Sequence, residues 1–327
     1  MAFRFPENSP IRSFSRSAWH RFCGGPMHWH NRVFSTGQSI EMDDLGYTIR
    51  WPGQGEIRAR HLRDLPRTGD LASILASGPS VRSLDRIERL FDHPVACVNG
   101  SATMAAMLGK RADYYIVSDH RFILDQPDLF RTGTRAARAT ILCPMTVFTA
   151  LLAVPDALEG IDLYLREDLR RPFKRPRPTR HTLRRDPHVI ADATGDLAFS
   201  LDTRRGTFSA GTVVFDAIQI LFGIGYRDLF MFGVDLSSDG RFYRENQPLP
   251  NDLTNDYAIR IEPAFQLVAE FVRRSGNRLV NGSLGSRLPA AIIPKADGNA
   301  LLDELERRSS RPAFGKNANG KSDRAAA

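Results

Sequence analysis

The register of apolar and polar positions changes character along the chain. From residue 71 onward, short β-rich apolar runs alternate with stretches at helical spacing, the pattern of a parallel sheet with crossover helices. It predicts strands at 71–76, 95–98 and 114–117, helices at 81–91 and 102–108, and a further short apolar segment opening at Ile141 and Leu142. A second half begins near residue 207, with a helix at 212–222 and a buried strand at 229–234. Pro263 is placed to start another helix, in which Ala264, Phe265, Val268, Phe271 and Val272 share one face, and a strand at 278–280 closes the sheet. The expected fold is α/β, an open, mostly parallel sheet with helices on both faces. It forms a single Rossmann-like nucleotide-binding domain over 69–295, with a small lid insertion at about 160–206.

Outside that domain the pattern fades. Residues 1–68 are rich in Arg, Gly, Pro and aromatics without a sustained period and read as an irregular extension. One piece is regular: Ile11, Phe14, Ala18, Trp19 and Phe22 recur at helical spacing opposite Arg12, Arg16, His20 and Arg21. This short basic amphipathic helix suits docking on its own domain or peripheral contact with an anionic membrane. Residues 170–185 carry eight Lys and Arg, no acid and three prolines, which reads as a mobile loop or lid rather than a core element. A C-terminal helix and a small, polar, disordered tail are expected over 296–327.

Composition narrows the class. At 327 residues and 42% hydrophobic, the chain can bury one substantial core. It has no apolar run long enough to span a bilayer and no signal-peptide core, so the expected location is the cytoplasm. Cys23, Cys97 and Cys143 are far apart and lack metal or redox spacing. The net charge of +8 favours an anionic partner without choosing one. Nucleic acid ranks low, because the basic stretch has no interleaved aromatics beyond Phe173 and no recognition motif.

Three strand ends carry candidate chemistry. Ser77-Gly78-Pro79-Ser80 follows the first strand, Asn99-Gly100 the second and Ser118-Asp119-His120 the third. In an open α/β sheet, ligands bind beyond the carboxyl ends of strands, where glycine lets backbone approach phosphate or ribose. Taken singly, each is an ordinary turn, and His120 reads as a turn histidine rather than a base. The most informative run is Phe208-Ser209-Ala210-Gly211-Thr212, the apolar helix, Gly225 to Asp235, Ser237, and Gly240-Arg241-Phe242-Tyr243.

In this order and spacing the chain resembles the bacterial sialyltransferase-type glycosyltransferases that use CMP-sugars, including relatives that transfer 3-deoxy-manno-octulosonic acid (Kdo) in lipopolysaccharide core assembly. The resemblance covers about residues 71 to 283 and is weak between 120 and 206. It implies a GT-A-like nucleotide domain in which Ser77, Gly78, Pro79 and Ser80 form the turn beside the nucleotide. Asn99 would contact CMP, and Ser118 stands where the family commonly has Asn. Ser209, Ala210 and Gly211 would meet the donor phosphate, and Asp235 and Ser237 belong to the same site. Tyr243 would steady the departing phosphate, which in other transferases falls to a metal; no D-x-D motif is present, so no metal or other cofactor is expected beyond the CMP-sugar donor. A phosphorylated or lipid-linked glycan acceptor would be read by Arg175, Arg177 and Arg180 of the basic loop.

Two departures bear on catalysis. Ser237 stands where the family has a tyrosine, and the family's histidine before the last long helix is absent; Asp256 falls in its place as a candidate base, with Asp252 and Glu262 nearby. An ordinary carboxyl at about 3.9 needs burial or a like charge to serve well, and a helix-capping role for Asp256 is equally open. Two rivals remain. The run Asp113 to Asp119 together with G-P-S also resembles a Mg²⁺-dependent pterin pyrophosphokinase-like diphosphotransferase, and the departures suit a non-catalytic nucleotide- or glycan-binding relative. The sequence leaves the sugar, the acceptor, the linkage and the oligomeric state open.

Overall fold

The computed structural model describes residues 25–34, 37–53, 55–237, 239–243 and 256–309. The amphipathic helix expected at 11–22, Cys23, Asp252 and the tail beyond 309 lie outside them. Among the described residues the strands are β1 (Ser39–Asp43), β2 (Gly46–Trp51), β3 (Gly55–His61), β4 (Leu71–Leu75), β5 (Val95–Val98), β6 (Ala112–Val117), β7 (Ala137–Leu142), β8 (Leu163–Leu165), β9 (Val189–Ala191), β10 (Ala198–Ser200), β11 (Asp228–Phe232) and β12 (Arg278–Asn281). The α-helices are α1 (Thr103–Met107), α2 (His120–Asp125), α3 (Pro127–Arg135), α4 (Pro144–Ala153), α5 (Arg180–Arg185), α6 (Val213–Gly223), α7 (Glu262–Ser275) and α8 (Gly298–Ser309).

Ten strands form one sheet in the order β1-β2-β3-β8-β7-β6-β5-β4-β11-β12. Pairing is parallel from β3 to β12 and antiparallel in β1–β2–β3. Alternate side chains feed two cores, one on each face, because successive strand residues point to opposite sides. Ala72, Ile74, Ala96, Val98, Tyr114 and Ile116 pack with α6 and α7. Leu75, Val95, Cys97, Tyr115 and Val117 pack with α2, α3, α4 and α8. The open, mostly parallel sheet with helices on both faces is thus the observed architecture. Helix α6 is buried from Val213 to Phe222, which is why all of its residues but Asp216 and Gln219 are apolar. No helix among the described residues is long and apolar enough to cross a membrane.

Strand β4 lies between β5 and β11. The chain leaves β4 for β5 on one side and returns much later to β11 on the other. That reversal creates a crevice outside the carboxyl ends of β4 and β11, where such sheets bind ligands.

Three expectations are corrected. Residues 39–61 are not irregular: they form a three-stranded meander whose last strand pairs β8, with Arg60 opposite Tyr164. Its polar positions hid the alternation, because they are arginines and acids in cross-strand pairs, Arg50 with Glu41 and Glu56, and Arg58 with Asp43. The stretch 81–91 is not one α-helix but two 3₁₀ segments, Pro79–Ser83 and Ile87–Asp92. The basic loop is anchored rather than free. Phe173 is buried between Phe34 and Phe148, with ring centroids 4.9 and 5.4 Å away. Backbone amides of Lys174 and Arg177 donate to Asn31 Oδ1 and the Met27 carbonyl at 2.9 and 2.8 Å.

Candidate functional site

A cavity of about 700 Å³ opens at the carboxyl ends of the central strands. Its lining includes Ser77, Gly78, Pro79, Asn99, Ser118, Ser209, Gly211, Asp235, Ser237, Tyr243, Asp256 and Arg177. The structure therefore brings together residues that span 180 positions of sequence. Ser80 faces a smaller cavity of about 310 Å³ on the other side of the Asp235 wall, and Ala210 is buried. Arg175 and Arg180 do not line the cavity: they pair with Glu167 at 2.9 Å and Asp196 at 2.8 Å.

The floor is backbone in close contact. The Gly78 amide donates to the Gly233 carbonyl at 2.9 Å, tying the turn after β4 to the turn after β11. A Cβ on Gly78 would overlap Asp235 Oδ2 and stand 2.5 Å from the Gly233 oxygen, so only glycine fits. Asp235 is buried, accepting from the Ser80 amide at 2.9 Å and from the Ser283 hydroxyl. Its carboxylate holds the two turns together.

Next to it, the Ser101 hydroxyl accepts from the Val98 amide and donates to the Leu75 carbonyl, fixing the end of β5 against β4. Asn99 then adopts a left-handed backbone, φ 48°, a strained state that asparagine tolerates better than most residues. Its buried Oδ1 has no protein partner. An unpaired buried carbonyl at a cavity wall is a group waiting for a donor from a ligand. The Tyr243 hydroxyl lies over the Gly100 backbone, where a Cβ would overlap it. Sequence reasoning matched Asn99 and Tyr243 to one site, and the geometry makes them neighbours.

On the opposite side, Thr212 caps α6, whose first turn lines the cavity together with Gly211 in a left-handed conformation, φ 80°. The positive end of the helix dipole favours an anion there. Asp256 lies near Gly211 and is paired with Arg260 at 3.1 Å, on the turn leading into α7. The carboxylate is therefore in the cavity but engaged by a cation.

The sequence missed a buried ion pair behind this wall. Arg166 and Asp216 meet at 3.0 Å, each 1% exposed. Arg166 also donates to Thr207 Oγ1 and Ser209 Oγ at 3.0 Å, and both hydroxyls donate to Asp216 at 3.1 Å. Burial pushes the Asp216 carboxyl up, and the Arg166 guanidinium pulls against that shift. Ser209 is thus held by a charged network rather than standing as a free turn residue. The only signal in the sequence was two charges inside apolar elements, Arg166 after Leu163-Tyr164-Leu165 and Asp216 within α6.

Asp119, which a diphosphotransferase would give to magnesium, caps α2 through the Arg121 amide at 3.0 Å and pairs with the Arg121 guanidinium at 3.2 Å. Among the described residues no three His, Cys, Asp or Glu side chains converge to hold a metal ion.

No protein-family profile matches the sequence. The chain is similar to a probable 3-deoxy-manno-octulosonic acid transferase of Salmonella typhimurium strain LT2. The two are 27% identical over 251 residues, which cover 73% of this chain and 91% of the relative. Among solved structures it resembles the sialyltransferase CstII from Campylobacter jejuni, solved with the substrate analogue cytidine-5'-monophosphate. That likeness has 13% identity and a TM-score of 0.38, over 72% of this chain and 88% of that one. It also resembles MAf glycosyltransferase from Magnetospirillum magneticum AMB-1, at 14% identity and a TM-score of 0.41, over 77% of this chain but 38% of that one. The chain thus spans well under two thirds of the latter protein. The sequence relative is a probable Kdo transferase, which is a kind of glycosyltransferase.

Proposed function

We propose that the protein transfers a keto sugar, Kdo or sialic acid, from a CMP-activated donor to a lipopolysaccharide or other surface-glycan acceptor, without a metal. The observation that carries this reading is the unpaired buried Asn99 Oδ1, which shares the cavity at the carboxyl ends of the central strands with the Gly78 turn and Tyr243. A cytosine amino group is a donor of the kind this oxygen lacks. The cavity of about 700 Å³ has room for a nucleotide and a sugar.

The donor phosphate belongs against Ser209, Gly211 and the first turn of α6, whose amides carry the positive end of the helix. Tyr243 lines the same cavity on the Asn99 side, where its hydroxyl would donate to a phosphate oxygen as the bond to the anomeric carbon breaks. Charge that develops on the leaving group is where one placed donor contributes most. Asp256 is the carboxylate nearest Gly211, placed to accept the acceptor hydroxyl proton while Arg260 fixes its orientation. The acceptor oxygen attacks the anomeric carbon directly, and CMP departs with the bonding pair.

Thermal titration with CMP, UDP, GDP and ATP, each with and without Mg²⁺, tests the donor assignment. CMP alone should protect, by RT ln(1 + [L]/Kd). Protection only by a purine nucleotide, or only with Mg²⁺, would overturn it.

A further inference from the structure

The wall of the cavity facing the Gly78 turn is built by the basic stretch after β8, and its arginines fall into two groups. Arg175 and Arg180 are spent on Glu167 and Asp196. Arg170, Arg171 and Arg177 line the cavity instead. Their mounting is defined: Asp168 bridges to Thr207, two residues before Ser209, and the Leu169 amide donates to the Thr207 carbonyl at 2.9 Å. Asp168 Oδ1 then accepts from the amides of Arg170 and Arg171 at 2.9 and 3.2 Å, turning the chain so that both side chains face the opening. Pro172 and Phe173 are buried directly behind. The Arg177 amide is tied to the Met27 carbonyl.

The carboxylates around this wall are already engaged. Asp119 is held by Arg121, Asp196 by Arg180, Asp216 by Arg166 and Asp256 by Arg260, while Asp168 caps two amides. Asp125 stands exposed on α2. Among the described residues neither Arg171 nor Arg177 enters an ion pair, and Arg170 spends one N–H on the Gly195 carbonyl at 3.1 Å. Burial, then the nearby charge of Arg177, press the Arg170 guanidinium below its ordinary value, while Asp196, Asp192 and Asp168 pull the other way.

We infer that Arg170, Arg171 and Arg177 form a second anion subsite, distinct from the donor-phosphate position at Ser209 and Gly211, which takes a phosphoryl or carboxylate group carried by the acceptor sugar. Guanidinium forks match both groups in bidentate geometry. The assignment of this anion to the acceptor rests on the CMP-donor reading above, whereas the subsite itself does not. The anchored Phe173 means that the subsite is presented by a fixed wall, not gathered by a closing lid.

The test uses the full chain, with inorganic phosphate as the probe for a phosphorylated sugar and acetate as the probe for a sugar acid. Each is titrated at constant ionic strength into protein saturated with CMP, so that the donor-phosphate position is filled. Phosphate or acetate should raise the melting temperature further, and whichever does so identifies the group. The double variant Arg171→Gln/Arg177→Gln, two exposed positions, should weaken that effect at least tenfold and leave CMP affinity within about twofold. Lys110→Gln, at the opposite end of the sheet, removes one charge of the same sign and should change neither. No added protection in CMP-saturated wild type, equal protection in the double variant, or an equal loss in Lys110→Gln would overturn the subsite. If CMP fails to protect while phosphate protects wild type and not the double variant, the donor reading falls and the subsite stands.

Discussion

Replacing Arg166 by methionine should be among the most costly single changes outside the cavity floor. The side chain is 1% exposed and meets Asp216, equally buried, at 3.0 Å. Methionine keeps much of the packing but leaves a buried carboxylate with neutral hydroxyls, among them those of Thr207 and Ser209, in place of a cation. Removing one partner of a buried pair costs about 3–5 kcal/mol, because the remaining charge is uncompensated. The loss should depend on pH in a set direction. Burial already lifts Asp216 above the ordinary carboxylate range, and without Arg166 it should rise further above its unfolded value of about 3.9. A carboxyl raised by folding binds its proton more tightly in the native state. The stability that protonation adds is therefore present at low pH and lost as pH rises through the folded value. Urea unfolding of wild type and Arg166→Met at pH from about 8 down to about 5 should show the gap narrowing as acid is added. Adding Asp216→Asn to Arg166→Met should recover about half the loss or more, since the stranded charge goes with it. A penalty below about 1 kcal/mol, or one that does not change with pH, would refute the view that this pair is ionised and mutually dependent.

Gly78→Ala should cost about 1–3 kcal/mol of stability, because the new methyl overlaps Asp235 and crowds the Gly233 carbonyl. It should also weaken CMP at least tenfold in a direct binding titration, and normal affinity would remove the turn from the site. Tyr243→Phe should lower kcat by on the order of 10² to 10³ with little change in donor affinity, if its hydroxyl meets charge that develops in the transition state as proposed. Unchanged kcat in steady-state assays would show that the hydroxyl does not touch the leaving group.

The parts of the fold that were legible in the sequence share one property: the local pattern and the tertiary environment agree. Strand β5 is four apolar residues buried on both faces, and α6 is almost wholly apolar because it is buried all round. The residues at the ends of β4, β5 and β11 were legible because glycine, asparagine and serine at strand ends report backbone demands that the structure makes, including the positive φ of Asn99 and Gly233. Strands β1 to β3 were not, since a meander at the sheet edge carries charge on its open face and ion pairs replace the missing core. The basic loop misled for a related reason. Its charges and prolines outvoted Phe173, whose single ring fixes the segment against Phe34 and Phe148. The Arg166–Asp216 pair was invisible because its partners are fifty positions apart and only contact reveals the pairing.

The proposed transfer of a keto sugar from a CMP-activated donor without metal is best tested by turnover. Purified protein is given CMP-Kdo or CMP-sialic acid with a lipopolysaccharide-core acceptor in excess EDTA, and CMP release is followed alongside matched UDP- and GDP-sugars. The account predicts acceptor-dependent CMP release that EDTA does not diminish and no turnover of the other donors. Turnover of a UDP- or GDP-sugar in place of the CMP-sugar, or activity abolished by EDTA and restored by Mg²⁺, would contradict it.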